Sequence, residues 1–293
     1  MKKIERDIAI LDFLWRFKVA TTGMIHAHLF SDRAIKTAYN VLDRLRKKKL
    51  ISSRTDEYGK NPVWTIEVKG FKAIRNRLPE LREESFKSAN RDHDLICSSI
   101  HLGEFINDLP KDIELITEQM LRIYHKEFLP SFVPDVDEDR PDGYWYMASG
   151  DRIKLISLEV ELSQKAFARY EGYSNFYEDF TEDHRCLWVV KTKGHARKIL
   201  RAMYKIKPDY MIHNFVLLKD ILELGWDSII FAGPEKTQKV SKMFGDNLWK
   251  QVGNKRERFY QNLLLDNRLT YQLYSKKPLQ TFTQKVDCIG THN

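Results

Sequence analysis

Four side chains between Pro141 and Lys165 are of the types, and at the spacing, that metal-assisted phosphodiester chemistry uses. Asp142 follows Pro141. Glu159 and Glu161 sit two apart in Ile156-Ser157-Leu158-Glu159-Val160-Glu161-Leu162, and Lys165 follows four residues later. Carboxylate oxygens are hard ligands suited to Mg²⁺ or Mn²⁺. A cation held by Asp142, Glu159 and Glu161 can activate water and offset charge on a phosphate, and the Lys165 ammonium adds a further positive charge.

These groups need a strand pair to bring them together. Ile156, Leu158, Val160 and Leu162 alternate with Ser157, Glu159, Glu161 and Ser163, so the apolar set lines one face of a strand and the polar set the other. Asp142 opens the preceding strand of a hairpin. The plainer alternative is an edge strand whose glutamates face solvent, with Asp142-Gly143 as an ordinary turn. A helix predicted over Gln164 to Phe180 carries Ala166, Tyr170, Tyr173, Tyr177 and Phe180 on one stripe. That is core spacing, so packing accounts for these tyrosines and none is assigned as a nucleophile.

An Asp, a gap, then Glu-x-(Glu/Lys) on an apolar strand resembles the PD-(D/E)xK nuclease superfamily. The wider layout resembles the replication-relaxation family, which includes relaxases of the mobilisation C class. The matching features, over about residues 5 to 235, are a winged helix, a helix opening at His93, the Pro141-Asp142 pair, the Glu159-Val160-Glu161 strand and a tyrosine-rich helix. The resemblance implies a restriction-endonuclease-like α/β domain with a central mixed sheet, and a relaxase that processes a transfer origin. It implies His93 as an accessory site residue; the plainer role for such a histidine is a cap or packing. Glu161 stands where the superfamily usually has lysine. Either Lys165 does that lysine's work from the following helix, or that part of the mechanism is missing.

The positive charge is unevenly spread. Residues 1–92 hold 21 Lys+Arg against 12 Asp+Glu, and residues 93–293 hold 28 against 29, which sums to the net +8. A basic segment joined to a neutral one is the electrostatic footprint of a nucleic-acid-binding module. Helical periodicity places Ile4, Ile8, Leu11 and Trp15 on a buried stripe of a first helix, about 4–17. Thr21 or Thr22 caps a second, 23–29, and Ser31 or Asp32 caps a third running to about Lys48. A β-hairpin follows, Leu50 to Arg54 and Val63 to Val68 around the turn Asp56 to Lys60, then a helix from Phe71 to Leu78. Three helices and a hairpin make a winged helix-turn-helix, whose last helix enters the major groove. Its polar face offers Arg33, Lys36, Thr37, Asn40, Arg44 and Lys47, and the hairpin tip offers Lys60, for phosphates and base edges. Winged helices also serve as protein-binding modules, and Lys47-Lys48-Lys49 complements a helix dipole in any case. His26-Ala27-His28 is not a metal site, because i and i+2 do not share a helix face.

Residues 79–92 read as a linker. After it come a helix over about Asp94 to Ile106, a strand at Ile113 to Thr117, and a less regular acidic piece with Asp135, Asp137, Glu138 and Asp139. This run lacks the glycine and final glutamate of a calcium loop. Further elements are a strand at Leu187 to Val190, a basic helix at His195 to Lys205, and strands at Phe215 to Leu218 and Ser228 to Phe231. The expected architecture is α+β: a winged helix over 1–78, the linker, a nuclease-like domain over 93–235 and an extension over 236–293. Cys97, Cys186 and Cys288 are far apart, with no zinc or disulfide spacing. No apolar run approaches a membrane span and no signal-peptide core is present, so a cytoplasmic protein with no membrane partner is expected. No phosphate loop, HExxH or Gly-x-Ser-x-Gly occurs. The expectation is an Mg²⁺- or Mn²⁺-dependent endonuclease nicking double-stranded DNA at a transfer or replication origin, with a second copy or relaxosome proteins as candidate partners. The rivals are a non-enzymatic DNA-binding regulator with a degenerate nuclease fold, and a phage-defence nuclease.

Overall fold

The computed structural model describes residues 3–55, 62–102, 113–134, 140–149, 152–177, 184–206 and 212–244. The hairpin tip with Lys60, the acidic run Asp135 to Asp139 and the extension beyond residue 244 lie outside the described residues. Two compact units divide the chain. Residues up to 102 and the stretch 119–135 form the first; residues 103–118 and 136–253 form the second. No described helix is long and apolar enough to cross a membrane.

The first unit is winged-helix-like. Helices α1 (Lys3–Phe17), α2 (Thr22–Leu29) and α3 (Ile35–Lys47) combine with strands β1 (Ala20–Thr21), β2 (Ile51–Thr55) and β3 (Pro62–Ile66), followed by α4 (Val68–Ile74) and α5 (Arg91–His101). The strands form an antiparallel sheet in the order β1-β3-β2. Leu11 and Trp15 are buried, as the helical period predicts, but Ile4 is 74% exposed in the first turn of α1. Thr21 caps α2 by accepting from the Met24 amide at 3.1 Å. Neither Ser31 nor Asp32 caps α3: its N-cap is Ala34, with no side-chain bond, so the orphan amides of the first turn get no side-chain partner from the cap. The helix after the hairpin starts at Val68, before Gly70, and ends at Ile74 in a single 3₁₀ turn rather than running on to Leu78. Gly70 is where α4 meets the sheet, and a Cβ there would lie 2.1 Å from the Leu50 carbonyl oxygen. The segment 79–92 holds bonds of its own: Leu81 bridges Tyr124, and the Arg82 amide donates to the Ile123 carbonyl at 2.8 Å. The ring of Trp15 stacks on Tyr124.

The second unit is a five-stranded mixed sheet in the order β4-β5-β6-β7-β8. Its strands are β4 (Glu114–Thr117), β5 (Gly143–Ser149), β6 (Arg152–Glu161), β7 (His184–Val190) and β8 (His213–Leu217). Helix α6 (Glu118–Ile123) follows β4, where the sequence suggests little regular structure, and from residue 119 it belongs to the first unit. β4, β5 and β6 pair antiparallel; β6, β7 and β8 pair parallel. Helices α7 (Phe167–Phe176) and α8 (Lys193–Ile206) follow β6 and β7, and α9 (Leu218–Leu224) follows β8. Ser228 to Phe231 is not a strand; it makes only isolated bridges around Ile229 and Ala232. β6 is therefore central, and its glutamates do not face solvent from an edge. On one sheet face, Tyr170, Tyr173 and Tyr177 from α7 and its C-cap pack with Ile199 and Ala202 of α8 over Cys186, Trp188 and Phe215.

Candidate functional site

Register sets Asp142 against Glu159. Gly143 pairs with Leu158, so Asp142, the residue just before β5, falls opposite Glu159. Two backbone contacts hold it there: the Asp142 amide donates to the Leu158 carbonyl at 3.0 Å, and Asp142 Oδ2 accepts from the Val160 amide at 2.7 Å. Glu159 pairs with Trp188 and Glu161 with Val190, at the C-terminal ends of β6 and β7.

Both glutamates are buried, at 3% and 2% exposure, beneath the tyrosines of α7. Tyr177 donates its hydroxyl to Glu159 Oε1 at 2.7 Å. Burial pushes the Glu159 carboxyl well above its ordinary 4.5, and the charge on Asp142 adds to the shift; the Tyr177 bond and the Lys165 ammonium oppose it. Lys165 Nζ lies 3.1 Å from Glu161 Oε2 and donates to the Tyr173 hydroxyl at 3.3 Å. Its amide donates to Tyr170 Oη at 2.9 Å. Lys165 reaches Glu161 from the connection before α7, not from the helix, which begins at Phe167. The tyrosine hydroxyls are what sequence reasoning missed. Their core spacing was visible, but a tyrosine buries its ring and still presents its oxygen, and which group that oxygen meets depends on the sheet beneath.

Around them lies a wider buried polar set. Ser157 Oγ is 2.7 Å from His184 Nε2, and Trp188 Nε1 donates to His213 Nδ1 at 3.0 Å. Burial pushes both imidazoles down to about 3, with neighbouring positive charge adding to the shift at His184.

Comparison of the chain with protein-family models, with curated proteins and with solved structures finds no match. The α+β architecture, a winged-helix-like unit and a mixed-sheet unit, rests on the geometry itself.

In the first unit, Arg33, Lys36, Asn40 and Lys47 are exposed and Thr37 is half-buried. Arg33 precedes α3 rather than standing on it. Arg44 is engaged inside its own unit: its guanidinium grips Asp7 with two bonds, at 2.8 and 2.5 Å. Lys47 pairs with Asp43 at 2.8 Å. Two exposed apolar side chains, Ile35 and Tyr39, accompany Lys36 and Asn40 on α3; an i, i+4 pair of large apolar residues flanking a buried stripe was the signal for them. His93 lies in the first turn of α5, where its amide donates to the N-cap Asn90 at 3.3 Å. Its ring nitrogen Nδ1 is 3.6 Å from Cys97 Sγ.

Proposed function

We propose that this protein is a DNA endonuclease dependent on Mg²⁺ or Mn²⁺, related to the PD-(D/E)xK nucleases and to replication-relaxation proteins of mobile elements, and directed to its site by the winged-helix-like unit. The observation that carries this reading is the register that sets Asp142 opposite the buried Glu159, with Glu161 two residues further along the same strand and paired to Lys165. Like charges gathered under a helix are costly unless something neutralises them. The donor set is all carboxylate oxygen, which fits a hard divalent cation. Asp142, Glu159 and Glu161 would hold that cation, which when bound supplies water activation and charge compensation at the phosphate. Tyr177 orients the Glu159 carboxylate. Lys165, held between Glu161 and Tyr173, would offset charge on a phosphate in place of the lysine that Glu161 replaces. On the DNA side, Lys36 and Arg33 suit phosphates and Asn40 suits a base edge.

A second reading is a DNA-binding regulator whose nuclease fold has lost its chemistry. Glu161 in the lysine position favours it, as does Tyr177 already bonded to Glu159. Incubating supercoiled plasmid DNA with the full chain, with and without Mg²⁺ or Mn²⁺, separates the two. The endonuclease reading expects cation-dependent nicking that Asp142→Ala and Glu159→Ala abolish while DNA binding survives. It expects Lys165→Ala to slow cutting with cation binding retained. A folded, DNA-binding wild-type protein that never cuts with either cation leaves the regulator.

A further inference from the structure

The count of charges along the chain hides a local concentration in the second unit. From Lys191 to Ile206 there are six Lys and Arg residues and no acidic one. On α8 three of them, Lys193, Arg197 and Arg201, recur every four residues and form an exposed ladder along one side of the helix. Ala196, Ile199 and Ala202 on the other side are buried against the sheet, at 0 to 1% exposure. Like charges at i and i+4 repel and weaken a helix. Acidic neighbours normally relieve this. Among the described residues, Arg197 and Arg201 have no hydrogen-bond or ion-pair partner, and Lys193 has only the ring of Phe231 beneath its ammonium, at 5.7 Å.

The ladder starts beside the carboxylates. α8 begins three residues after Val190, which pairs with Glu161. Lys198 Nζ donates to the Lys165 carbonyl at 2.7 Å, which ties α8 to the residue that holds Glu161. Open α/β sheets bind ligands outside the C-terminal ends of their parallel strands, and a helix N-terminus there favours anions.

We infer that Lys193, Arg197 and Arg201 form a second nucleic-acid contact, a track on α8 that binds the phosphate backbone of DNA and leads it to the carboxylates of the same unit. The inference rests on the endonuclease reading for the identity of the polyanion. A basic helix can also lie on an anionic membrane, but it does so by burying its apolar face in lipid, and that face of α8 is already buried in the sheet unit. Backbone contacts of this kind carry no sequence information; they supply affinity that falls with salt.

The test is fluorescence anisotropy of a labelled random-sequence duplex against the full chain across a salt series. Arg197→Ala/Arg201→Ala is compared with Lys219→Ala/Lys236→Ala, which removes the same charge from exposed positions elsewhere in the unit, and with Lys36→Ala/Asn40→Ala on α3. The track expects Arg197→Ala/Arg201→Ala to weaken binding and to flatten the plot of log K against log salt by about 1.8, or 0.9 for each lost phosphate contact. It expects Lys219→Ala/Lys236→Ala to match wild type. If Arg197→Ala/Arg201→Ala binds like wild type while Lys36→Ala/Asn40→Ala is weakened, the track is wrong and the winged-helix reading stands. An equal loss in both second-unit variants reduces the effect to net charge and also overturns the track. So does an unchanged DNA slope with lost binding to vesicles of phosphatidylcholine and phosphatidylserine. These readouts need no cutting, so an inactive protein would sink the endonuclease reading without touching the result for the track.

Discussion

Glu159 is the side chain on which the second unit is most finely balanced. It is buried, it faces Asp142, and its hydrogen-bond partner is a neutral tyrosine. Its raised pKa means that the fold favours the protonated acid. That contribution to stability is complete below the ordinary value of 4.5 and is lost as pH rises through the raised value. Glu159→Gln keeps an acceptor for Tyr177 and removes the charge. Thermal melts are therefore expected to show Glu159→Gln more stable than wild type in mildly alkaline buffer, with the gap closing near about pH 4, where the wild-type acid is neutral. Mg²⁺ or Mn²⁺ should raise the melting temperature of wild type in alkaline buffer and have much less effect on Glu159→Gln. Equal pH profiles for the two proteins would mean that Glu159 is not held under this strain.

At the scale of elements, α3 shows why polar residues on one helix are not interchangeable. Arg44 holds Asp7 of α1 with two charge-assisted bonds and is partly buried; Lys36 and Asn40 are exposed. Arg44→Ala is expected to lower stability by about 1 kcal/mol, a size suited to a partly screened bidentate pair. Lys36→Ala and Asn40→Ala should leave the melting temperature unchanged. On DNA, Lys36→Ala should weaken binding to all sequences alike, and Asn40→Ala should reduce discrimination between them. Parallel melts and binding curves separate these outcomes. Helix α4 offers a sharper structural test. At Gly70 an added Cβ meets the Leu50 carbonyl, Ile66 and Leu11, and a backbone oxygen cannot swing aside as a side chain can. Gly70→Ala should cost about 1–3 kcal/mol or more in a denaturant titration, despite alanine's better helix propensity. Lys69→Ala, next to it but exposed, should stay within about 0.5 kcal/mol of wild type.

For the molecule as a whole, stability in acid should be limited by the sheet of the second unit. His184 and His213 are buried and pushed down to about 3 from the ordinary 6.5. A depressed pKa contributes stability above the unfolded value that is lost as pH falls toward the folded one, so the window runs from about 6.5 down to about 3. At His213 burial is the cause; its Nδ1 also accepts the Trp188 indole N–H, which a ring protonated there would meet with a second N–H. His213→Asn keeps an acceptor and cannot take up that proton. Hydrogen exchange followed by mass spectrometry is expected to show the amides of β6, β7 and β8 losing protection first as pH drops, after correction for intrinsic exchange. His213→Asn should move that loss to lower pH. A shared midpoint for both proteins would remove His213 from the account.

The sequence by itself determined the local patterns. Strict alternation made 156–162 a strand with Ser157, Glu159 and Glu161 on one face, because side-chain period follows from backbone pleat alone. Threonine before a helical run announced the α2 cap, and helical spacing excluded His26 and His28 as a paired site. Only the tertiary structure decided what those patterns meet. Whether β6 is an edge or a central strand depends on β7, which pairs with it from later in the chain, and that pairing turns two apparently solvated glutamates into buried ones. Likewise nothing local to α3 distinguishes Arg44 from Lys47; the difference is Asp7, 37 residues away. The tyrosines of α7 could be read as packing from their spacing, but the contact between Tyr177 and Glu159 exists only once helix and sheet are stacked. Periodicity specifies which side of an element is apolar, whereas the pKa, charge pairing and exposure of a single group are set by atoms distant in sequence and close in space.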